Sequence, residues 1–216
     1  MFYTNRLMLR NLDLKADHTT LIQWLNDQDI MEAMVADAVR PTSREGVIEF
    51  VQARAKHPNG LPFFAICERP TEGSQPGRPC ADGGDFFVMG HGASRYPIIG
   101  LLNINNSRFS FTNRTAMLGI AFDVEHRGQK APGGYGTEVL SWACEYMFGH
   151  LGLHRCELEA HPENHRALQC YRKVGFRDEG TKREALWRNG KWHDTVMMAI
   201  LEKDWWVKQD ARRTTN

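Results

Sequence analysis

Arg127-Gly128-Gln129-Lys130-Ala131-Pro132-Gly133-Gly134-Tyr135-Gly136-Thr137 opens the stretch that decides the fold, which runs on to residue 176. A helical segment follows at 138–150, then a strand at 154–160, then a second helix at 164–174 stopped by Gly175-Phe176. Glycines leave backbone N–H groups uncovered, and a helix start adds unpaired N–H groups and the positive end of a dipole. Such a turn is an anion site, most often for phosphate or pyrophosphate. On its own it reads more often as a flexible surface turn. In the second helix Asn164 is placed as N-cap, and Tyr171 lies two turns along the same face. Gly175 suits the left-handed residue past the helix end, with apolar Phe176 after it. Alone, this is an amphipathic helix with a half-buried tyrosine.

The two halves in this order resemble the GNAT superfamily of acyl-CoA-dependent N-acetyltransferases. Glu163-Asn164-xx-Ala167-xxx-Tyr171-x-Lys173-x-Gly175-Phe176 is similar to that family's final cofactor motif. Arg127-Gly128 and Gly134-Tyr135-Gly136-Thr137 are similar to its pyrophosphate loop. The tail Glu184-Ala185-xxxx-Gly190-x-Trp192-x-Asp194 resembles the branch that acetylates ribosomal-protein N-termini. The likeness extends over 6–205. It implies an α/β fold in a single domain: a mixed, mostly antiparallel sheet of about seven strands, splayed at the fourth and fifth, with about four flanking helices.

Composition agrees with an ordinary globular protein and argues against several other classes. The chain has 216 residues, 42% hydrophobic and 25% charged, which suits one domain with a real core. A formal net charge of +1 offers no global argument for nucleic acid. Cys67, Cys80, Cys144, Cys156 and Cys170 sit singly, so neither a metal site nor a disulfide framework is expected. No apolar run has membrane-spanning length and no signal peptide is read. A cytoplasmic protein is expected, as a monomer or homodimer.

Along the chain, Arg6-Leu7-Met8-Leu9-Arg10 alternates as a strand, and 17–27 reads as a short amphipathic helix. Thr42 or Ser43 caps a helix running to about residue 56, ended by His57-Pro58-Asn59-Gly60. Strands are expected at 61–68, 98–104 and 116–122, with Asn105-Asn106-Ser107 beginning a turn. Between the first two lies a Gly/Pro-rich insertion, 69–97, longer than a usual connection, with a short strand possible at 86–89. Asn189-Gly190 is a hairpin signal between strands at 176–186 and 191–201. Residues 207–216 read as a polar, frayed tail.

The resemblance implies that acetyl-CoA is the co-substrate. Phe122 and Val124 would offer main chain to the pantetheine arm at the splay. Arg127, Gly128, Gly133, Gly134, Tyr135, Gly136 and Thr137 would hold the pyrophosphate, and Asn164 the arm. Tyr171 would protonate the departing sulfur and also touch the cofactor. Two departures stand out. Many relatives carry a glutamate where Met117 stands, which leaves Asp123, Glu125, His193 and Asp194 as candidate bases; a structural acceptor is the preferred reading of Asp194. In the loop Arg127 precedes Gly134 by seven, so 129–132 reads as an insertion, with Gln129 or Lys130 as additional contacts.

The expected activity is acetyl transfer to a primary amine. Deprotonating a lysine amine at neutral pH costs roughly 4 kcal/mol and an α-amine roughly 1 kcal/mol. A site without an evident base therefore favours a peptide N-terminus or a weakly basic small amine over a free lysine. The alternatives are a small-molecule amine acceptor, or a CoA-binding module without catalysis.

Overall fold

The computed structural model describes residues 1–13, 16–33, 42–55, 62–69, 96–110, 112–127 and 134–214. The strands are β1 (Phe2–Tyr3), β2 (Leu7–Asn11), β3 (Phe63–Glu68), β4 (Ile98–Ser110), β5 (Thr115–Phe122), β6 (Arg155–Ala160), β7 (Arg177–Arg188) and β8 (Lys191–Leu201). They form one sheet in the order β1-β2-β3-β4-β5-β6-β8-β7. Among the described residues only the β5–β6 pair is parallel. The described helices are α1 (His18–Leu25), α2 (Gln28–Ala33), α3 (Arg44–Ala55), α4 (Tyr135–Glu145), α5 (His165–Val174) and α6 (Glu202–Thr214); a π-helical turn, Tyr146–His150, prolongs α4. None of them is long and apolar enough to cross a membrane.

Strand alternation divides the core between the two faces of the sheet. Leu7, Leu9, Phe64, Ile66, Leu102, Ile104, Leu118 and Leu158 share a core with α4, α5 and Trp205 of α6. Met8, Ala65, Cys67, Ile98 and Leu101 face the other way, against Leu21, Trp24 and Leu25 of α1, Ile30 and Met31 of α2 and Val47 of α3. Each fully buried aliphatic side chain contributes roughly 1.5–3 kcal/mol, so β2, apolar on both sides, is a strong anchor. Arg10 is its polar exception. Its guanidinium grips Asp17 in a two-pronged pair, 2.7 Å on each prong, with both side chains almost wholly buried. That pair ties β2 to the start of α1.

The feature that positions the site is a gap in the sheet. β5 and β6 pair only at Thr115↔Arg155, Ala116↔Cys156 and Met117↔Glu157. Beyond that rung β5 stays bonded to β4 as far as Phe122, and β6 to β8 as far as Ala160. Among the described residues each strand thus keeps one partner and turns an unpaired edge to the gap. This is the expected splay, one number later because the two-residue β1 precedes it.

Several expectations are adjusted. Asn105-Asn106-Ser107 does not begin a turn: β4 continues through them to Ser110, with its register against β5 shifting between Asn105 and Ser110. As far as it is described the tail is helix, not frayed: α6 runs to Thr214, with Glu202 and Asp204 in its first turn and Arg212 and Arg213 in its last, charges that suit the helix dipole. α2 was not foreseen. At α3, Ser43 is the cap, its Oγ accepting the Gly46 N–H at 3.2 Å. Asn189 and Gly190 both have positive φ, the hairpin turn that their sequence predicts. The 57–60 stop signal, the strand at 86–89 and 70–95 of the expected insertion lie outside the described residues.

Candidate functional site

The unpaired end of the gap opens into a cleft of about 980 Å³ between β5, α4, α5 and the β7–β8 hairpin. Gly134 stands at φ +100°, in the left-handed region, and hands the chain into α4. The first intrahelical bond runs from the Glu138 N–H to the Gly134 carbonyl, 2.9 Å. The N–H groups of Tyr135, Gly136 and Thr137 therefore have no acceptor within the helix, and these three residues line the cleft. At Gly136 a β-carbon would meet Cys170 Sγ at 3.2 Å, so this glycine lets α4 and α5 approach closely at the site. Cys170 fills that contact. Burial pushes its thiol up, against the opposing pull of the Thr137 hydroxyl and Lys173, so it packs rather than reacts.

Tyr135 divides its roles. Its hydroxyl donates to Glu68 Oε1 at 2.7 Å, and Arg6 lies over its ring at 4.7 Å. Burial and the bond to Glu68 push the phenol up to about 12. Arg6 also binds Glu138 Oε2 at 2.8 Å. The side chains of Tyr135 and Glu138 thus fasten the head of α4 to β3 and to the residue that leads into β2.

On the opposite wall, α5 begins as its sequence predicts. Asn164 Oδ1 accepts the Ala167 N–H at 3.2 Å, and Gly175 ends the helix at φ +128°. Tyr171 is 8% exposed and lines the cleft. Burial, aided by Cys170, raises its phenol far above the ordinary value, so it is a neutral donor across the physiological range. Among the described residues none hydrogen-bonds its hydroxyl.

Phe122, Arg127, Gly134, Tyr135, Gly136, Thr137, Asn164 and Tyr171 come together around this one cleft, but Val124 does not line it. The chain turns away after β5, where Asp123 Oδ1 accepts the His126 N–H at 2.7 Å. Gly128, Gly133 and the 129–132 insertion lie outside the described residues. Sequence reasoning missed the third wall, where Arg188 Nη1 donates to His161 Nε2 at 3.1 Å. Arg188 and Lys191 flank the Asn189-Gly190 turn, and that spacing was the available signal.

The candidate bases separate. Asp194 is a structural acceptor: its Oδ1 takes the Glu184 N–H at 2.9 Å, where Glu184 has positive φ at an irregularity of β7. Asp123 is occupied by His126. Glu125 is exposed. His193 lines the cleft, and its Nε2 is buried with no partner among the described residues. Yet it lies six residues along β8 from Ala199, the partner of Glu157, which places it about 20 Å from the closed end of the gap.

A family profile described as "Acetyltransferase (GNAT) domain" matches residues 6–177. The chain is 35% identical over 91 residues to "Probable N-acetyltransferase YjcK" of Bacillus subtilis, covering 42% of this chain and 48% of that protein. It is 34% identical over 109 residues to the "[Ribosomal protein uS5]-alanine N-acetyltransferase" of Escherichia coli, covering 50% and 53%. The chain thus spans about half the length of these relatives. Among solved structures, spermidine N-acetyltransferase from Vibrio cholerae in complex with CoA and spermine superposes with a TM-score of 0.71 at 23% identity, over 93% of this chain and 98% of that one.

Proposed function

Because the chain belongs to the GNAT acetyltransferase family, we propose that it transfers the acetyl group of acetyl-CoA directly to a primary amine, the α-amine of a protein or peptide N-terminus. The observation that carries this reading is the gap between β5 and β6 with Tyr171 in the wall of the cleft it opens. An unpaired strand edge offers donors and acceptors to a ligand that itself carries amides.

Acetyl-CoA would supply an activated thioester, and the residues present fit it. The N–H groups that open α4, with Arg127 and the Thr137 hydroxyl, suit a pyrophosphate. The free edge of β5 up to Phe122 suits the pantetheine amides. Asn164 uses its Oδ1 as a cap, which leaves its amide NH₂ as the donor to the arm. A β5 N–H at the gap would polarise the reacting carbonyl. Tyr171 would donate its proton to the sulfur as negative charge develops there.

Met117 and Glu157 form the last rung before the gap, so the place expected to hold a base carries a thioether. Water would then take the amine proton, which costs roughly 1 kcal/mol for an α-amine and roughly 4 kcal/mol for lysine. The relative named for ribosomal protein uS5 alanine supports the peptide acceptor; the structural neighbour in complex with CoA and spermine supports a small polyamine instead. The deciding measurement is thiol release from acetyl-CoA with matched peptides. Peptides with free N-termini should outperform N-blocked peptides that retain lysine. Preference for lysine side chains or for polyamines would overturn the acceptor assignment. No thiol release with any amine would leave a CoA-binding module.

A further inference from the structure

The gap between β5 and β6 is a slot through the sheet, and its two mouths differ. Cys156, Leu158 and Ala160 of β6 point into the core beneath α4 and α5. By strand alternation Arg155, Glu157 and Glu159 stand on the other face, and none of the three lines the cleft. Glu157 belongs to the last paired rung. Glu159 lies two residues further, on the rim of the open slot, and its side chain is only 13% exposed. An amine that approaches from the face opposite α4 and α5 meets this carboxylate at the rim.

Glu159 already holds an ammonium. Lys182 Nζ donates to its Oε1 at 2.5 Å. Lys182 comes from β7, two strands away: it pairs with Thr195 of β8, and its side chain crosses that strand to reach β6. Glu157 is matched in the same way. Arg155 donates from Nε to Glu157 Oε1 at 2.6 Å and from both terminal nitrogens to Glu179. The carboxylates of β6 on this face are thus occupied by the protein's own cations.

From this geometry we infer that Lys182 determines acceptor specificity: its ammonium occupies the Glu159 position that a cationic amine would take, and so it turns the enzyme away from polyamines and toward acceptors with a single neutral amine. The inference rests on the acetyl-transfer reading of the cleft. A polycation gains affinity from carboxylates that lack a partner, and here it must displace a tethered lysine and leave that lysine's charge beside it. Like charges in the same pocket are an effective device against the wrong ligand. A peptide N-terminus reacting as the neutral amine is not subject to this repulsion.

The experiment compares the wild-type protein with Lys182→Met, Lys182→Arg and the double variant Lys182→Met/Glu159→Gln. Each is assayed for thiol release with spermidine and with an uncharged peptide bearing a free N-terminus. Acetyl-CoA affinity and thermal stability are measured alongside. In Lys182→Met the spermidine-to-peptide ratio of kcat/KM should rise about three- to fivefold, the upper scale of one partly exposed ion pair, with acetyl-CoA affinity unchanged. Lys182→Arg should keep the wild-type ratio, and the double variant should lose the gain. A ratio within about twofold of wild type in folded Lys182→Met would overturn the inference, as would a gain that survives Glu159→Gln. Spermidine binding by calorimetry separates the two readings. If Lys182→Met binds spermidine more tightly than wild type but no variant releases thiol, the charge inference stands and the transferase reading fails. If spermidine binding does not change, the charge inference fails whatever the turnover.

Discussion

Tyr171→Phe removes one oxygen atom and nothing else. Among the described residues that oxygen has no hydrogen-bond partner, while the ring packs in the core with Phe176, 6.1 Å between ring centroids. The substitution should therefore change folding stability by less than about 0.5 kcal/mol, the usual scale for changes that disturb no contact. Acetyl-CoA affinity should hold as well, because the hydroxyl's bond would strengthen only as charge develops on sulfur. Turnover should fall by about 10²–10⁴, the range of positioned general-acid help, or roughly 3–5 kcal/mol of barrier at about 1.4 kcal/mol per factor of ten. The phenol is raised by burial, so the proton is present through neutral pH and the loss should not depend on pH between 6 and 9, about where an unperturbed phenol is still protonated. The assay is steady-state kinetics of both proteins with one peptide acceptor, direct titration of acetyl-CoA, and a denaturant melt. A fall of less than about threefold would refute the assignment and return Tyr171 to a packing role. Parallel losses of affinity and turnover would make it a contact that shapes the binding site.

Three further expectations come from the same geometry. Gly136→Asp places a carboxylate among the N–H groups that open α4 and presses on Cys170 Sγ; acetyl-CoA affinity by calorimetry should fall at least about tenfold in a protein that still folds, and unchanged affinity would move the phosphate site elsewhere. Asp17→Ala strands the buried Arg10 charge and should cost roughly 3–5 kcal/mol in a denaturant titration; a loss under about 1 kcal/mol would mean that the pair is not isolated from solvent. Burial opposes ionisation of Glu138, but hydrogen bonds from Thr4 and Arg6 prevail and hold its carboxyl below the usual range. Its contribution is therefore present above the ordinary glutamate value, about 4.3, and is lost as pH falls through the lowered folded value; Glu138→Gln should flatten that limb of the stability profile.

What the sequence discloses here is what is local. Asn164 caps because its oxygen reaches an N–H three residues on, and Gly175 and Asn189-Gly190 adopt positive φ because few other residues do so cheaply. These decisions need no partner strand. The second half of β4 does: Asn105 to Ser110 is polar and turn-like, and only the return of β5 makes it strand. α6 likewise contradicts its polar composition because Trp205, 2% exposed, fastens its first turn into the core and the charged ends suit the dipole. Of the site, α4 and α5 were legible as one motif. The hairpin wall was not, because Arg188 meets His161 only once β8 has inserted between β6 and β7.

The gap itself is the sharpest case. Residues 118–122 and 158–160 are ordinary strand sequence, and propensity alone would let the parallel ladder run on past Met117 and Glu157. Each strand satisfies its backbone on one side, β5 against β4 and β6 against β8, so the local chemistry is complete without a further rung. Whether the second edge is paired or bare depends on how the two halves of the sheet diverge, which is a property of the helices packed beneath them. The face on which a residue sits is in turn a parity count that starts from the gap. Glu159 and Lys182 are 23 residues apart and unremarkable in sequence. They become neighbours at the rim of a slot only because β8 separates their strands and parity puts both on the face away from α4 and α5. The acceptor charge selection proposed above, the least legible reading of this chain, therefore rests where two long-range facts meet: the end of one ladder and the order of the next three strands.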